Sequence, residues 1–331
     1  MSVIDVNELS KTYRIFRKRE GLTGSLKDLF SRQQEDKPAV REISFAIEEG
    51  EFVGFIGPNG AGKTTTLKML SGILTPTSGA ATVLGFRPLA RKKEFLRQIG
   101  LVMGNKASLH WALPPQDSFL LSRDIYHIPE KEYRQRVESL SDMIGLNDLL
   151  NVQLRLLSLG ERMKAELIAS LLHSPKVLFL DEPTLGLDIV SQRAIRSFLA
   201  TYNQEEKSTI LLTSHYMEDI RRLCQRIIII NHGKILFDGS MKNLFESYGG
   251  MHRIDLSFEQ APSGEEIEYL HKIGDVHVDP VDIQKYSITL PKEEVRQATA
   301  DCIRDLKITQ ILISEPQLED IVSQITPGTQ E

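Results

Sequence analysis

The sequence predicts an α/β protein with a mainly parallel sheet, a helical subdomain set into it, and a small C-terminal α+β unit of ferredoxin-like order. Three observations carry that expectation. A glycine-rich loop stands between a strand-length apolar run and a helical pattern, several later runs are apolar on both faces, and the final stretch changes to a strand-helix-strand-strand-helix-strand order. Strands covered by helices on both sides read as continuous apolar segments, which marks a parallel sheet.

The loop is Gly57-Pro58-Asn59-Gly60-Ala61-Gly62-Lys63-Thr64-Thr65, between Phe52 to Ile56 and the helix-patterned Thr66-Leu67-Lys68-Met69-Leu70. In that setting G-x-x-x-x-G-K-T is a phosphate-binding loop of the P-loop NTPase type. Its glycines let the backbone curl around a polyphosphate while N–H groups at the helix start point inward. Lys63 adds a positive charge for the β and γ phosphates, and the Thr64 hydroxyl is placed to hold Mg²⁺. A nucleoside triphosphate is the expected ligand.

At 331 residues, with 41% hydrophobic and 26% charged, the chain is long enough for one large domain or two unequal ones. The net charge of −5 gives no overall reason to expect nucleic acid as a partner. Cys224 and Cys302 are too few for a disulfide framework, so a reducing compartment is expected. The N-terminus lacks a charged start followed by an apolar core, and the longest apolar runs, such as Ile227 to Ile230, are strand-length. The chain is expected neither to span a membrane nor to be secreted by itself.

Taken in order, Val3 to Leu9 alternates, with Val6 and Leu9 as inward candidates. Residues 14–37 form a polar, partly helical, basic insertion, with Leu22, Leu26, Leu29 and Phe30 near one helical face. Two readings of it stand: a solvated surface hairpin, or a contact with lipid headgroups or a membrane partner. Ile43 to Ile47 alternates as a strand, and Phe52 to Ile56 delivers the chain to the phosphate loop. Beyond it, Ala81 to Leu84 reads as a strand, Lys93 to Gln98 as a helix and Ile99 to Met103 as a strand. From about 104 to 173 the pattern is mostly helical, with Tyr133, Val137, Leu140 and Ile144 at helical spacing. Val177 to Leu180, Ile210 to Thr213 and Ile227 to Ile230 are buried-strand runs. We divide the chain into a nucleotide-binding domain, 1–249, and an accessory or regulatory domain, 250–331, without clustered catalytic side chains.

Asp181 closes one buried strand, where ligands collect in open α/β sheets, and a carboxylate there can hold Mg²⁺. Glu182 follows, positioned to polarise the water that attacks a γ phosphate. Adjacent acids downstream of a phosphate loop point to hydrolysis rather than storage binding.

From Val3 to about Gly239 these residues resemble the ATP-binding subunits of ABC transporters. Leu157-Ser158-Leu159-Gly160-Glu161 stands where that family carries L-S-G-G-Q. Read locally, Ser158-x-x-Glu161 is a capping box, and a capped helix start with a free serine hydroxyl is also a good γ-phosphate ligand. Leu159 and Glu161 depart from the family's glycine and glutamine, so Ser158 and Gly160 carry the match. The resemblance implies that this ligand serves the nucleotide of a second ATP-binding subunit, a further copy of the chain being expected over a different one. It also makes Asp188, in Thr184-Leu185-Gly186-Leu187-Asp188, the residue that communicates across the dimer. His215, after Thr213-Ser214, becomes the switch histidine at the γ phosphate. Tyr13 becomes the aromatic that stacks on adenine, farther from the loop than usual because of the insertion.

Where the family has a glutamine after the strand Ile99 to Met103, the chain reads Gly104-Asn105-Lys106, and Asn105 is the nearest amide for contact with Mg²⁺ and the attacking water. It falls short of glutamine by one methylene, or about 1.5 Å of reach. Gly104-Asn105, Leu109-His110-Trp111-Ala112-Leu113-Pro114 and the early insertion together resemble an exporter branch whose membrane partners are ABC-2-type permeases. The tail Ser314-Glu315-Pro316-Gln317-Leu318-Glu319-Asp320-Ile321 resembles those of drug-exporter ATPases.

The resemblance thus implies an ATPase motor with ATP and Mg²⁺ as cofactors. It would be cytoplasmic, peripheral on the inner face of the membrane, and drive transport, export being expected over import. A soluble ATPase of the same superfamily, acting on ribosomes or DNA, is the alternative, told apart by whether the protein fractionates with membranes. A non-hydrolysing regulatory nucleotide binder is a further one, and it requires Glu182 to be dispensable.

Overall fold

The computed structural model describes residues 2–17, 33–104, 106–248, 250–279, 281–314 and 317–326. The chain divides into two compact units, residues 1–239 and 240–331. The first four strands are β1 (Ser2–Arg17), β2 (Gln33–Glu48), β3 (Phe52–Ile56) and β4 (Ser78–Val83). β1 lies between β2 and β4, antiparallel to both, in a sheet of its own. Ile4, Val6 and Leu9 of β1 are buried, as the alternation predicts.

The arms of the 14–37 insertion pair as an antiparallel ladder, as the surface-hairpin reading expects, with Tyr13 opposite Lys37, Arg14 opposite Asp36 and Arg17 opposite Gln33. The run Thr12-Tyr13-Arg14-Ile15-Phe16 is rich in residues that fit a pleated surface, and extending an existing ladder adds a paired backbone group per residue. The stripe Leu22, Leu26, Leu29 and Phe30 lies outside the described residues.

The second sheet holds β5 (Ile99–Met103), β6 (Val177–Asp181), β7 (Thr209–Thr213), β8 (Arg226–Asn231) and β9 (Lys234–Ser240), in the order β5-β6-β7-β3-β8-β9. The pairings of β5 with β6, β6 with β7, β7 with β3 and β3 with β8 are parallel. Every residue of β3, β6 and β7 is buried, which is why their sequences show no alternation. Helices Pro115–Tyr126, Glu130–Ile144 and Leu159–Leu171 occupy the stretch between β5 and β6. β3, β6 and β7 end side by side, and the loops that follow them carry the residues expected to form the site.

In the second unit, β10 (Met251–Phe258), β11 (Asp275–Val278), β12 (Lys285–Pro291) and β13 (Ile308–Ser314) form an antiparallel sheet in the order β11-β12-β10-β13. Helices Gly264–Ile273 and Val295–Asp305 complete the ferredoxin-like order. Ile254, Leu256, Leu270, Ile288, Leu290 and Cys302 form its core. Both cysteines are buried and reduced. Burial pushes the Cys302 thiol up to about 11, and drives that of Cys224, fully enclosed, upward as well.

Candidate functional site

The helix Lys63–Leu70 starts from Gly62, whose backbone is left-handed (φ 113°), and no side chain caps its first turn. A Cβ at Gly62 would lie 2.6 Å from the carbonyl oxygen of Ala39, so only glycine fits there. The helix therefore presents uncapped N–H groups, the arrangement that takes a phosphate. Asn59, Gly60, Ala61, Gly62, Lys63, Thr64 and Thr65 line a cavity of about 350 Å³ with Tyr13 and Glu182. Gly57 and Pro58 face it differently: their carbonyl oxygens accept from the Lys63 ammonium at 2.7 and 3.0 Å. Burial holds the Lys63 pKa below its ordinary value, opposed by the charges of Glu182 and Asp181.

Asp181, at the end of β6, is buried. Its carboxylate accepts from the Thr64 hydroxyl, at 3.0 and 2.8 Å to the two oxygens, and from the Thr213 hydroxyl at 2.8 Å. A buried carboxylate beside the helix-start hydroxyl is a hard-oxygen donor set that suits Mg²⁺.

Glu182 adopts the left-handed region (φ 56°), an uncommon state for a residue with a side chain. Its N–H is fixed by the carbonyl and hydroxyl oxygens of Thr213 at 3.0 and 3.1 Å. That turn puts its Oε1 2.7 Å from Nε2 of His215. The structure thus brings Lys63, Thr64, Asp181, Glu182 and His215 to adjoining strand ends. Tyr13 is 37% exposed, with the Lys11 ammonium 5.5 Å from its ring centre. Asn105 lies outside the described residues.

Ser158 and Glu161 make the capping box the sequence predicts: the Glu161 N–H donates to the Ser158 hydroxyl at 3.3 Å and the Ser158 N–H to the Glu161 carboxylate at 2.7 Å. A Cβ on Gly160 would lie 2.2 Å from Ser191 Oγ, so a glycine is what lets the helix start Leu159–Leu171 seat against the start of Ile189–Glu206. Asp188 caps that second helix by accepting from the Ser191 N–H and hydroxyl at 2.9 and 2.7 Å, bonds that hold its carboxyl below the usual range. Ser158, Gly160, Glu161 and Asp188 do not line the cavity that holds Lys63.

Residues 40–185 match the family model described as ABC transporter. The ABC transporter ATP-binding protein NatA of Bacillus subtilis (strain 168) is 37% identical over 221 residues, covering 66% of this chain and 89% of NatA. The chain belongs to the ATP-binding subunits of ABC transporters. Linearmycin resistance ATP-binding protein LnrL of the same organism is 30% identical over 301 residues, 88% of this chain and 95% of its own. A solved structure described as the ATP binding subunit of an ABC transporter superposes with a TM-score of 0.61 at 26% identity, covering 75% of this chain and 94% of that one. As an ABC ATP-binding subunit the protein binds and hydrolyses ATP to drive a transporter, pairs with a second ATP-binding subunit and works with membrane permease subunits.

Sequence reasoning missed five residues. Ile15, Lys37 and Pro38 of the hairpin arms line the cavity that holds Lys63, a placement that only the β1–β2 register reveals. Thr213 shares Asp181 with Thr64. The buried Glu166 accepts from the N–H groups of Ser108 and Leu109 at 2.8 and 2.9 Å and from the Ser108 hydroxyl, clasping the loop after Asn105. A lone glutamate on an apolar helix face was the available signal.

Proposed function

We propose that this ABC ATP-binding subunit is half of a two-site export motor, in which Lys63 of one copy and Ser158 of another grip the same ATP. The observation that carries the reading is the split layout. Lys63, Thr64 and Glu182 share one cavity, while Ser158 and Asp188 stand apart from it, joined through Gly160. Leu156, Ile189 and Val190, which flank those residues, are exposed, an apolar edge suited to a second copy.

Tyr13 stacks on the adenine, loop N–H groups and Lys63 hold the phosphates, and Glu182 accepts the proton of the attacking water. His215 orients the Glu182 carboxylate and donates toward the γ phosphate. Thr64 and Asp181, with Asn105, would hold Mg²⁺, which offsets charge on the phosphate oxygens. Loss of the γ phosphate removes contacts that only the closed pair makes, so the pair opens. An apolar hollow of about 220 Å³ that includes Trp111, Leu154, Leu159 and Arg162 is the surface we assign to ABC-2-type permeases. The Arg162 guanidinium lies over the Trp111 ring at 4.5 Å, offering an amphipathic contact.

Likeness to a linearmycin resistance protein supports export. Among the described residues no helix is long and apolar enough to cross a membrane, consistent with a peripheral place on the inner membrane face. We assign residues 250–331 to regulation or pairing.

The deciding experiment is light scattering of Glu182→Gln with saturating ATP. A doubled mass supports the shared site, and a single-chain mass with ATP bound overturns it. Asn105→Ala should slow turnover; unchanged turnover and transport remove Asn105 from the site.

A further inference from the structure

Asp219 lies in the first turn of the helix Met217–Leu223 and is only 1% exposed. Its Oδ2 accepts from the hydroxyls of Thr184 and Ser214, the latter at 2.8 Å, and its Oδ1 meets the Arg196 guanidinium at 2.6 Å. The three partners come from three segments. Thr184 stands two residues past Glu182, Ser214 immediately precedes His215, and Arg196 belongs to the helix Ile189–Glu206 that Asp188 caps. Ser214 also accepts from the Tyr216 N–H at 3.0 Å, closing the turn around His215.

Burying a carboxylate is costly unless every lone pair is engaged, and apolar side chains would fill the same space more cheaply. A fully bonded polar node does what apolar packing does not: it fixes one geometry for the segments that converge on it. Here those segments carry the two partners of the 2.7 Å contact between Glu182 and His215. We propose that Asp219 is a positioning residue for hydrolysis, aligning Glu182 and His215 by binding both of their loops to a single charge that Arg196 neutralises. The proposal rests on the roles given above to Glu182 and His215.

Slack in either loop tilts the Glu182 carboxylate away from the attacking water while the phosphate loop is untouched. Turnover therefore falls without loss of nucleotide affinity. The test uses the full chain, with MgATP turnover, ATP binding by calorimetry without Mg²⁺, and thermal unfolding. Asp219→Asn should lower kcat by about tenfold or more, as expected when reacting groups are misplaced, with ATP affinity unchanged. In a Glu182→Gln, His215→Ala background the same substitution should add no further loss to the residual turnover, because both residues it positions are gone.

A merely structural role predicts the same fold loss in both backgrounds, and that result, or an unchanged kcat, overturns the proposal. If His215→Ala alone leaves kcat intact, the reading of the catalytic pair fails and the proposal with it. Should Asp219→Asn not fold, because Arg196 is left buried without its counter-charge, Thr184→Val and Ser214→Ala decide the matter. Thr184→Val removes one bond to Asp219, Ser214→Ala removes one to Asp219 and that from the Tyr216 N–H, and both keep the ion pair. Each should lower kcat by a factor of about three, a modest share of the cost of a misaligned group, and lose that effect in the Glu182→Gln, His215→Ala background. Equal effects in both backgrounds overturn the proposal.

Discussion

Two helices of this chain begin where a phosphate is expected, and they begin in opposite ways. Lys63–Leu70 starts at a left-handed glycine with no side-chain cap. Leu159–Leu171 starts with Ser158 and Glu161 satisfying one another's backbone. The first leaves its donors for the nucleotide and is incomplete alone. The second is complete, and because the Ser158 oxygen already accepts a bond, its O–H proton is the group left to offer outward. In the proposed shared site, one end is thus made by its ligand and the other by the fold.

Removing the charge at the ligand-made end gives the largest expected effect. Lys63→Ala should abolish detectable ATP binding in calorimetry and lower turnover by about a thousandfold, the order seen when a main charge-stabilising donor is lost. Retained affinity would erase the contrast between the two helix starts.

Glu182→Gln comes next. It should reduce turnover by about a hundredfold or more, the low end for loss of a general base, while ATP still binds with near-normal affinity. Filter binding beside a phosphate-release assay separates the two, and loss of affinity would move Glu182 into the binding machinery.

Ser158 sharpens the comparison at the other end. Ser158→Ala should cost about 1 kcal/mol of stability through the lost cap and slow turnover as well. Ser158→Asp keeps the cap and replaces the donor by a negative charge, so thermal unfolding should stay near wild type while turnover falls further. If both variants changed activity only in proportion to stability, the serine would be a cap and nothing more.

The smallest effect is a pH dependence. The folded pKa of Lys63 is held below the unfolded value by burial. Between those two values the unfolded chain binds more protons, so stability of the nucleotide-free protein rises with pH there. At lower pH the cost of the buried charge is present in full. Urea unfolding at a series of alkaline pH values should show this rise in wild type and not in Lys63→Met.

The phosphate loop and the Asp181-Glu182 pair were legible because each is written in consecutive residues with its strand or helix beside it. The second unit was legible for the same reason, its strands and helices alternating without insertion. The Asp219 node was not. Thr184, Arg196, Ser214 and Asp219 each have an ordinary local reading, and an acid in a first helical turn looks like a response to the helix dipole. Only folding reveals that they share one carboxylate. The separate sheet of β1, β2 and β4 was hidden similarly, since alternation shows which face is buried but not which strand lies alongside. The arms of the 14–37 insertion were legible as a hairpin, but not their register, which is what sets Lys37 beside Tyr13.

Both native sulfhydryls are sealed in cores and disinclined to ionise. Maleimide dyes placed by engineering at Leu156 or Val190, both outward-facing, would therefore mark those positions alone. Energy transfer between labelled copies could then follow the opening and closing proposed for the pair in real time, with no need to strip the chain of its own thiols first.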